Sequence, residues 1–296
     1  MGPLRGCITI AALTCWVGGG ARAADTSSRV VAFVRFDVGL MTAAEDGTGT
    51  TRLTSPRHGT VIGYSWAPDG RRLAVVQCRR GDCRAYVMDA DGRSRRQLAS
   101  NVLSAVWMPD GRRVLVDRRD RRGYWTVDVA TGNRRRFTAP GLAAAPGSPR
   151  LSPDRRRLLH LAPPYGRLIP SPPGSARHHA NARNWLVLTD LRSRRSHRVS
   201  NERGWYVLGA APWSPDGTTI TFTRRRTLQT SSGGVYVASG SAGPRRLAVG
   251  ARDGGAWSPD GSKIIFSNDV CRIRVVTLDG TTTALPFRGC MPSWQP

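Results

Sequence analysis

Lysine is almost missing from this chain: Lys263 stands alone among 45 basic side chains, and the other 44 are arginine. Acids are scarce as well, 20 in all, so the formal net charge is +25 at pH 7. Such a skew reflects GC-rich coding, but the field it makes is physical whatever its origin. It draws anionic polymer and membrane surface non-specifically. No helix-turn-helix, zinc-finger or RNA-binding signature accompanies it, so no specific nucleic-acid partner is expected. After the first two dozen residues there is no run of 18 apolar positions, which leaves no candidate transmembrane helix.

Catalytic signatures are lacking too. No Gly-x-Ser-x-Gly elbow offers a serine nucleophile. No glycine loop is built to cradle phosphate. His58, His160, His178, His179 and His197 are scattered, and no zinc-ligand spacing surrounds the cysteines. Neither metal nor cofactor is expected, and the chain reads as a non-enzyme.

What is present begins with a leader. Met1 to Gly6 carries Arg5, Cys7 to Val17 is mostly apolar, and Ala21-Arg22-Ala23 fits a small-residue cleavage site. Residues 1–23 are expected to be a signal peptide, with a lipoprotein anchor at Cys15 as the competing reading. Cleavage would remove Arg5 and Arg22, leaving 43 bases against 20 acids, a net +23. Four cysteines would remain, Cys78, Cys83, Cys271 and Cys290. An even number in an exported chain suggests disulfides. Three pairings are possible; Cys78 with Cys83 is the easiest, and Cys271 with Cys290 follows by elimination.

Residues 24–296 are organised by a repeat. The segments are Tyr64-Ser-Trp-Ala-Pro-Asp-Gly70, Ala105-Val-Trp-Met-Pro-Asp-Gly111, Pro149-Arg-Leu-Ser-Pro-Asp-Arg155, Ala211-Pro-Trp-Ser-Pro-Asp-Gly217 and Gly255-Ala-Trp-Ser-Pro-Asp-Gly261. A sixth, Pro292-Ser-Trp-Gln-Pro296, stops at the last residue. The anchors Trp66, Trp107, Leu151, Trp213, Trp257 and Trp294 lie 41, 44, 62, 44 and 37 residues apart. A four-stranded propeller blade takes about 40–50 residues. The long interval holds one insertion, Ala162 to Arg183, with five prolines.

Each motif has a mechanical sense. The Trp ends a strand and fills the gap between blades. Pro stops the strand. Asp69, Asp110, Asp154, Asp216 and Asp260 cap tight turns, and a following Gly accepts positive φ. An alternating strand comes next, then a second strand, an Asp-containing turn and a short fourth strand. Arg29 to Arg35 looks like a strand lacking its preceding turn, and the C-terminal motif lacks its following strand. Joined, they complete one blade and remove the open sheet edge. The expected fold is all-β, a six-bladed propeller of four-stranded antiparallel blades with one blade closed by both termini.

These motifs resemble the repeats of the TolB-type six-bladed propeller, over almost the whole of residues 24–296. The resemblance implies the fold and is unspecific for function. In that family an α/β domain precedes the propeller and helps to bind Tol–Pal partners. Here the propeller starts close to the cleavage site, so that domain is expected to be missing. Similar repeats head prolyl-oligopeptidase-type peptidases, whose hydrolase domain is likewise expected to be missing.

Strand direction sorts the loops. If the Pro-Asp-Gly turns lie on one face, the loop after the next strand lies on the other. Those loops, residues 35–39, 78–84, 118–123, 162–183, 224–234 and 268–272, hold 15 Arg and 4 Asp. They include Arg79, Arg80, Arg118, Arg119, Arg121, Arg122, Arg224, Arg225 and Arg226. Arginine suits carboxylate or phosphate through bidentate contact. The expectation is an exported, monomeric binding or scaffolding propeller of the cell envelope that engages a protein or anionic component through these loops. The alternative is a propeller enzyme of lactonase or sugar-dehydrogenase type with a metal or cofactor in its channel. Cys78 to Cys83 also encloses Arg80-Gly81-Asp82, an adhesion tripeptide read here as a turn.

Overall fold

The computed structural model describes residues 29–118, 123–142, 149–162, 184–202, 204–225, 233–240 and 242–296. The expected leader, residues 1–23, lies outside them. So do Arg119, Arg121, Arg122, Arg226, His178, His179 and nearly all of the insertion. No helix among the described residues is long and apolar enough to cross a membrane.

The chain forms β1 (Val30–Arg35), β2 (Gly39–Ala44) and β3 (Thr51–Arg52). Next come β4 (Thr60–Trp66), β5 (Arg72–Arg79), β6 (Asp82–Asp89) and β7 (Arg96–Ser100). They are followed by β8 (Val102–Trp107), β9 (Arg113–Arg118), β10 (Tyr124–Asp128) and β11 (Arg134–Phe137). The fourth set is β12 (Arg150–Leu151), β13 (Arg157–Ala162), β14 (Trp185–Asp190) and β15 (Ser196–Arg198). The fifth is β16 (Trp205–Val207), β17 (Thr219–Arg225), β18 (Gly233–Ser239) and β19 (Arg245–Ala251). The sixth is β20 (Ala256–Trp257), β21 (Lys263–Ser267), β22 (Arg272–Thr277) and β23 (Thr282–Arg288), and β24 (Cys290–Trp294) ends the chain.

Five of these sets are four-stranded antiparallel sheets in chain order. The sixth sheet runs β24-β1-β2-β3, with Val31 opposite Trp294 and Val34 opposite Cys290. The C-terminal strand is therefore the inner strand of blade 1, as the two incomplete motifs require. The fold is a six-bladed propeller with one blade built from both chain ends.

The core is divided the same way. Six clusters of buried apolar side chains occupy the six gaps between neighbouring blades. Each anchor Trp fills the gap before its own blade. Trp66 lies between blades 1 and 2, Trp107 between 2 and 3, Trp213 between 4 and 5, Trp257 between 5 and 6, and Trp294 between 6 and 1. All five are 2–7% exposed. Between blades 3 and 4 the anchor is Leu151, only partly buried beside Leu115, Tyr124 and Leu158.

Alternation fixes two faces. With the strands of each blade lettered A to D from the axis outward, the A–B and C–D connections form a turn face. The B–C connections and the D–A passages to the next blade form a loop face. On the turn face the aspartates cap as expected. Asp69 accepts the Arg71 amide at 3.0 Å, Asp110 the Arg112 amide at 2.9 Å and Asp216 the Thr218 amide at 3.0 Å. Gly70, Gly111, Gly217 and Gly261 follow with φ between 64° and 71°. Serine donation from Ser152 and Ser214 holds Asp154 and Asp216 below the usual carboxylate range, Asp216 at about 2.

Cations on the turn face tie blades together. Arg72 stacks over Trp107 of the next blade at 4.8 Å and donates to the Gly111 carbonyl at 3.1 Å. Arg157 repeats the pattern over Trp213 and Gly217. Arg29 pairs with Asp260 at 2.7 Å, and Lys263 with Glu45 at 3.1 Å, across the closure between blades 6 and 1.

Candidate ligand-binding face

The loop face has no such repeat. Of the arginines expected to bind, Arg79 and Arg80 are exposed at the tip of the β5–β6 hairpin. Arg80 and Gly81 both have positive φ, 49° and 85°, which suits the tight turn of a two-residue hairpin. The Cys78–Cys83 disulfide crosses its base. Asp82 of the adhesion-like tripeptide is held by Arg84 at 2.7 Å.

Arg224 and Arg225 are differently placed. Arg224 pairs with Glu202 at 2.9 Å and lies over the Tyr236 ring at 4.9 Å. Arg225 donates to the Arg252 carbonyl. Both are half-buried and brace the chain locally. Arg118 is half-buried at the end of β9. The remaining four expected arginines are outside the described residues.

The expected loops are the B–C connections alone. The D–A passages enter the same face and deliver the channel lining. Residues from the inner part of all six blades, among them Tyr64, Leu103, Arg150, Gly209, Asp253 and Met291, enclose a cavity of about 210 Å³ on the propeller axis. Its wall carries one cation and one carboxylate among the described residues, Arg150 and Asp253. Asp253 accepts from the Met291 amide at 2.7 Å and from the Ser267 hydroxyl, so it locks the closing strand to blade 6. The Tyr64 hydroxyl reaches the carbonyls of Ala32 and Met291, both at 2.7 Å. Burial, and then the charge of Asp253, raises Tyr64 well above its ordinary value. Most of the lining falls one to four residues before an anchor, a positional signal available in the repeat alignment.

Arg150 donates from Nε to the Gly209 carbonyl at 3.2 Å, and burial lowers its pKa to about 10. It stays charged at neutral pH. Nearby, in the gap that has leucine in place of tryptophan, burial raises Asp117 to about 7. Burial, with Asp117 adding to it, pushes Tyr124 upward as well. The second disulfide, Cys271–Cys290, joins the B–C loop of blade 6 to β24 on the same face.

No protein-family model matches the sequence, and no curated protein does so either. Solved structures do. TolB from Acinetobacter baumannii superimposes with a TM-score of 0.69 at 18% identity, over 91% of this chain and 67% of that one. In its fold this chain is a TolB-type six-bladed propeller. A putative TolB from Agrobacterium tumefaciens gives 0.57 at 14% identity, over 88% of this chain and 87% of the other. A putative 6-phosphogluconolactonase from Bacteroides fragilis gives 0.53 at 12%, over 92% and 98%. At such identities the TolB-type propeller is shown as a fold alone.

Proposed function

We propose that this chain is an exported binding or scaffolding propeller that engages an acidic protein or another anionic envelope component on its loop face. The observation that carries this reading is the charge balance of that face. Among the described residues its acids are Asp37, Asp82, Asp117, Glu202, Asp253 and Asp269. Asp82 and Glu202 are held by arginines, and Asp253 by Ser267 and Met291. Arg35, Arg79, Arg80, Arg272 and Arg288 are exposed around them. Arginine recognises carboxylate by bidentate bonding, and a positive rim steers an acidic partner.

Two disulfides fit an oxidising compartment and support export. They also stiffen the loops that would meet a partner, which lowers the ordering cost of binding. The test is capture of immobilised poly-glutamate against neutral dextran at about 0.15 M salt, where exposed charges are screened beyond roughly 8 Å. Poly-glutamate should be retained and dextran should not. Arg79→Ser with Arg80→Ser should weaken retention without lowering Tm. Equal retention of both matrices would sink the proposal.

A further inference from the structure

Two tight turns on adjacent blades each hold one residue that turn chemistry does not call for. Arg35 to Val38 closes with the Val38 amide on the Arg35 carbonyl at 2.9 Å, and Asn268 to Cys271 closes likewise at 2.9 Å. Central turn positions favour Gly, Pro, Asn, Asp and Ser. Here each turn pairs a conforming aspartate, Asp37 or Asp269, with an exposed apolar side chain, Phe36 at 48% or Val270 at 64%. These are two of the four exposed large apolar side chains among the described residues. They stand on the loop faces of blades 1 and 6, where the ring closes.

An open groove of about 270 Å³ lies at this closure, lined by Val34, Arg35, Phe36, Asp37, Cys271, Arg288 and Gly289. Its floor is rigid: the Cys271–Cys290 disulfide and the Gly289 amide on the Cys271 carbonyl, 2.8 Å, fix blade 6 to β24. Beside it, Arg272 and Arg288 are direct cross-strand partners in β22 and β23, and both are exposed. Like charges placed opposite one another destabilise a sheet. The acids at hand are Asp37, 3.8 Å from Arg35, and Asp269, whose carbonyl takes a bond from Arg252. Exposed apolar turn tips and an opposed arginine pair each cost stability, and both are offset by one kind of occupant.

We propose that this groove docks a partner protein's segment that combines large apolar side chains with flanking carboxylates. The apolar side chains would seat against Phe36 in the groove and Val270, next in sequence to the lining residue Cys271, and the carboxylates would reach Arg35, Arg272 and Arg288. The proposal rests on the loop-face reading and gives it a place and a partner chemistry. Sparse apolar anchors surrounded by charged groups are the usual distribution of interface energy.

The test is fluorescence anisotropy of the labelled, end-capped hexapeptide Asp-Glu-Leu-Phe-Glu-Asp on the whole chain. A control replaces its Leu and Phe by Ser. The control should bind about tenfold more weakly, the step expected for roughly 1.4 kcal/mol. Phe36→Ser with Val270→Ser should cause a like loss with Tm unchanged. Arg272→Ser with Arg288→Ser should weaken binding, flatten its salt dependence and leave Tm equal or higher. Equal affinity for the two peptides, or full affinity in the Phe36/Val270 variant, would overturn the docking site. If Arg79→Ser with Arg80→Ser abolishes binding while the groove variants keep it, the loop-face reading stands and the groove fails. If the wild type binds neither peptide, the groove fails, and poly-glutamate retention decides the loop-face reading. Sedimentation with phosphatidylglycerol vesicles that depends on Phe36 and Val270 would overturn the protein partner in favour of a membrane surface.

Discussion

The two faces of this propeller are built from similar residue types and held by different means. The turn face is held by its repeat. Aspartates cap backbone amides, tryptophans fill the gaps, and Arg29, Arg72, Arg157 and Lys263 bridge to neighbouring blades. The loop face has no repeat, and both disulfides lie there. The contrast teaches that arginine content alone does not mark a binding surface. An arginine beside a repeat aspartate or over a repeat tryptophan is a strut. An arginine on a hairpin tip, as at Arg80, is available to a partner.

The comparison can be broken experimentally, most forcefully at a turn-face anchor. Trp257→Ala should destabilise by about 3–5 kcal/mol in denaturant titration, the range for emptying a buried aromatic site. A loss under about 1 kcal/mol would mean that the gaps do not depend on their anchors. On the loop face, Cys271→Ser with Cys290→Ser should cost about 2–4 kcal/mol, since the bond closes a long loop. Its failure to lower Tm would show that this face does not need its staple. Sharper is a matched pair. Arg157→Gln should cost about 1 kcal/mol through its lost ring and carbonyl contacts, whereas Arg80→Gln should stay within about 0.5 kcal/mol of wild type. Equal effects would erase the distinction between the faces.

A pH-dependent effect concerns the gap without a tryptophan. Burial raises Asp117 to about 7, so the folded state holds a proton that the unfolded chain releases near pH 4. Stability from this group is present at low pH and is lost as pH rises toward 7. Asp117→Asn should raise Tm at pH 8 more than at pH 4.5, measured by thermal melts at both values. A uniform shift would refute the assignment.

Much of this was legible in the sequence because a repeat converts local chemistry into global order. The anchors predicted six blades, and six sheets formed. The truncated motif at Trp294 predicted closure with the strand after Arg29, and Val31 lies opposite Trp294. Cys78–Cys83, favoured by spacing, and Cys271–Cys290, left by elimination, both formed. The candidate site was less legible. Arg79, Arg80, Arg224 and Arg225 read alike in sequence, yet Glu202 and Tyr236 occupy Arg224 while Arg80 is exposed. The D–A passages are not legible as loops of this face, because no turn motif of their own marks them. With them went Arg150, Asp253 and the channel wall.

By itself the sequence determined the blade number, the closure and the turn face, since each is written in a motif a few residues long, complete or cut short at a chain end. Only the tertiary structure decided which charges are satisfied. Asp260 meets Arg29 across 231 residues, and the groove draws Phe36 and Arg288 from opposite ends of the chain. Neutralisation and exposure are properties of neighbours in space, and closing the ring is what makes these residues neighbours.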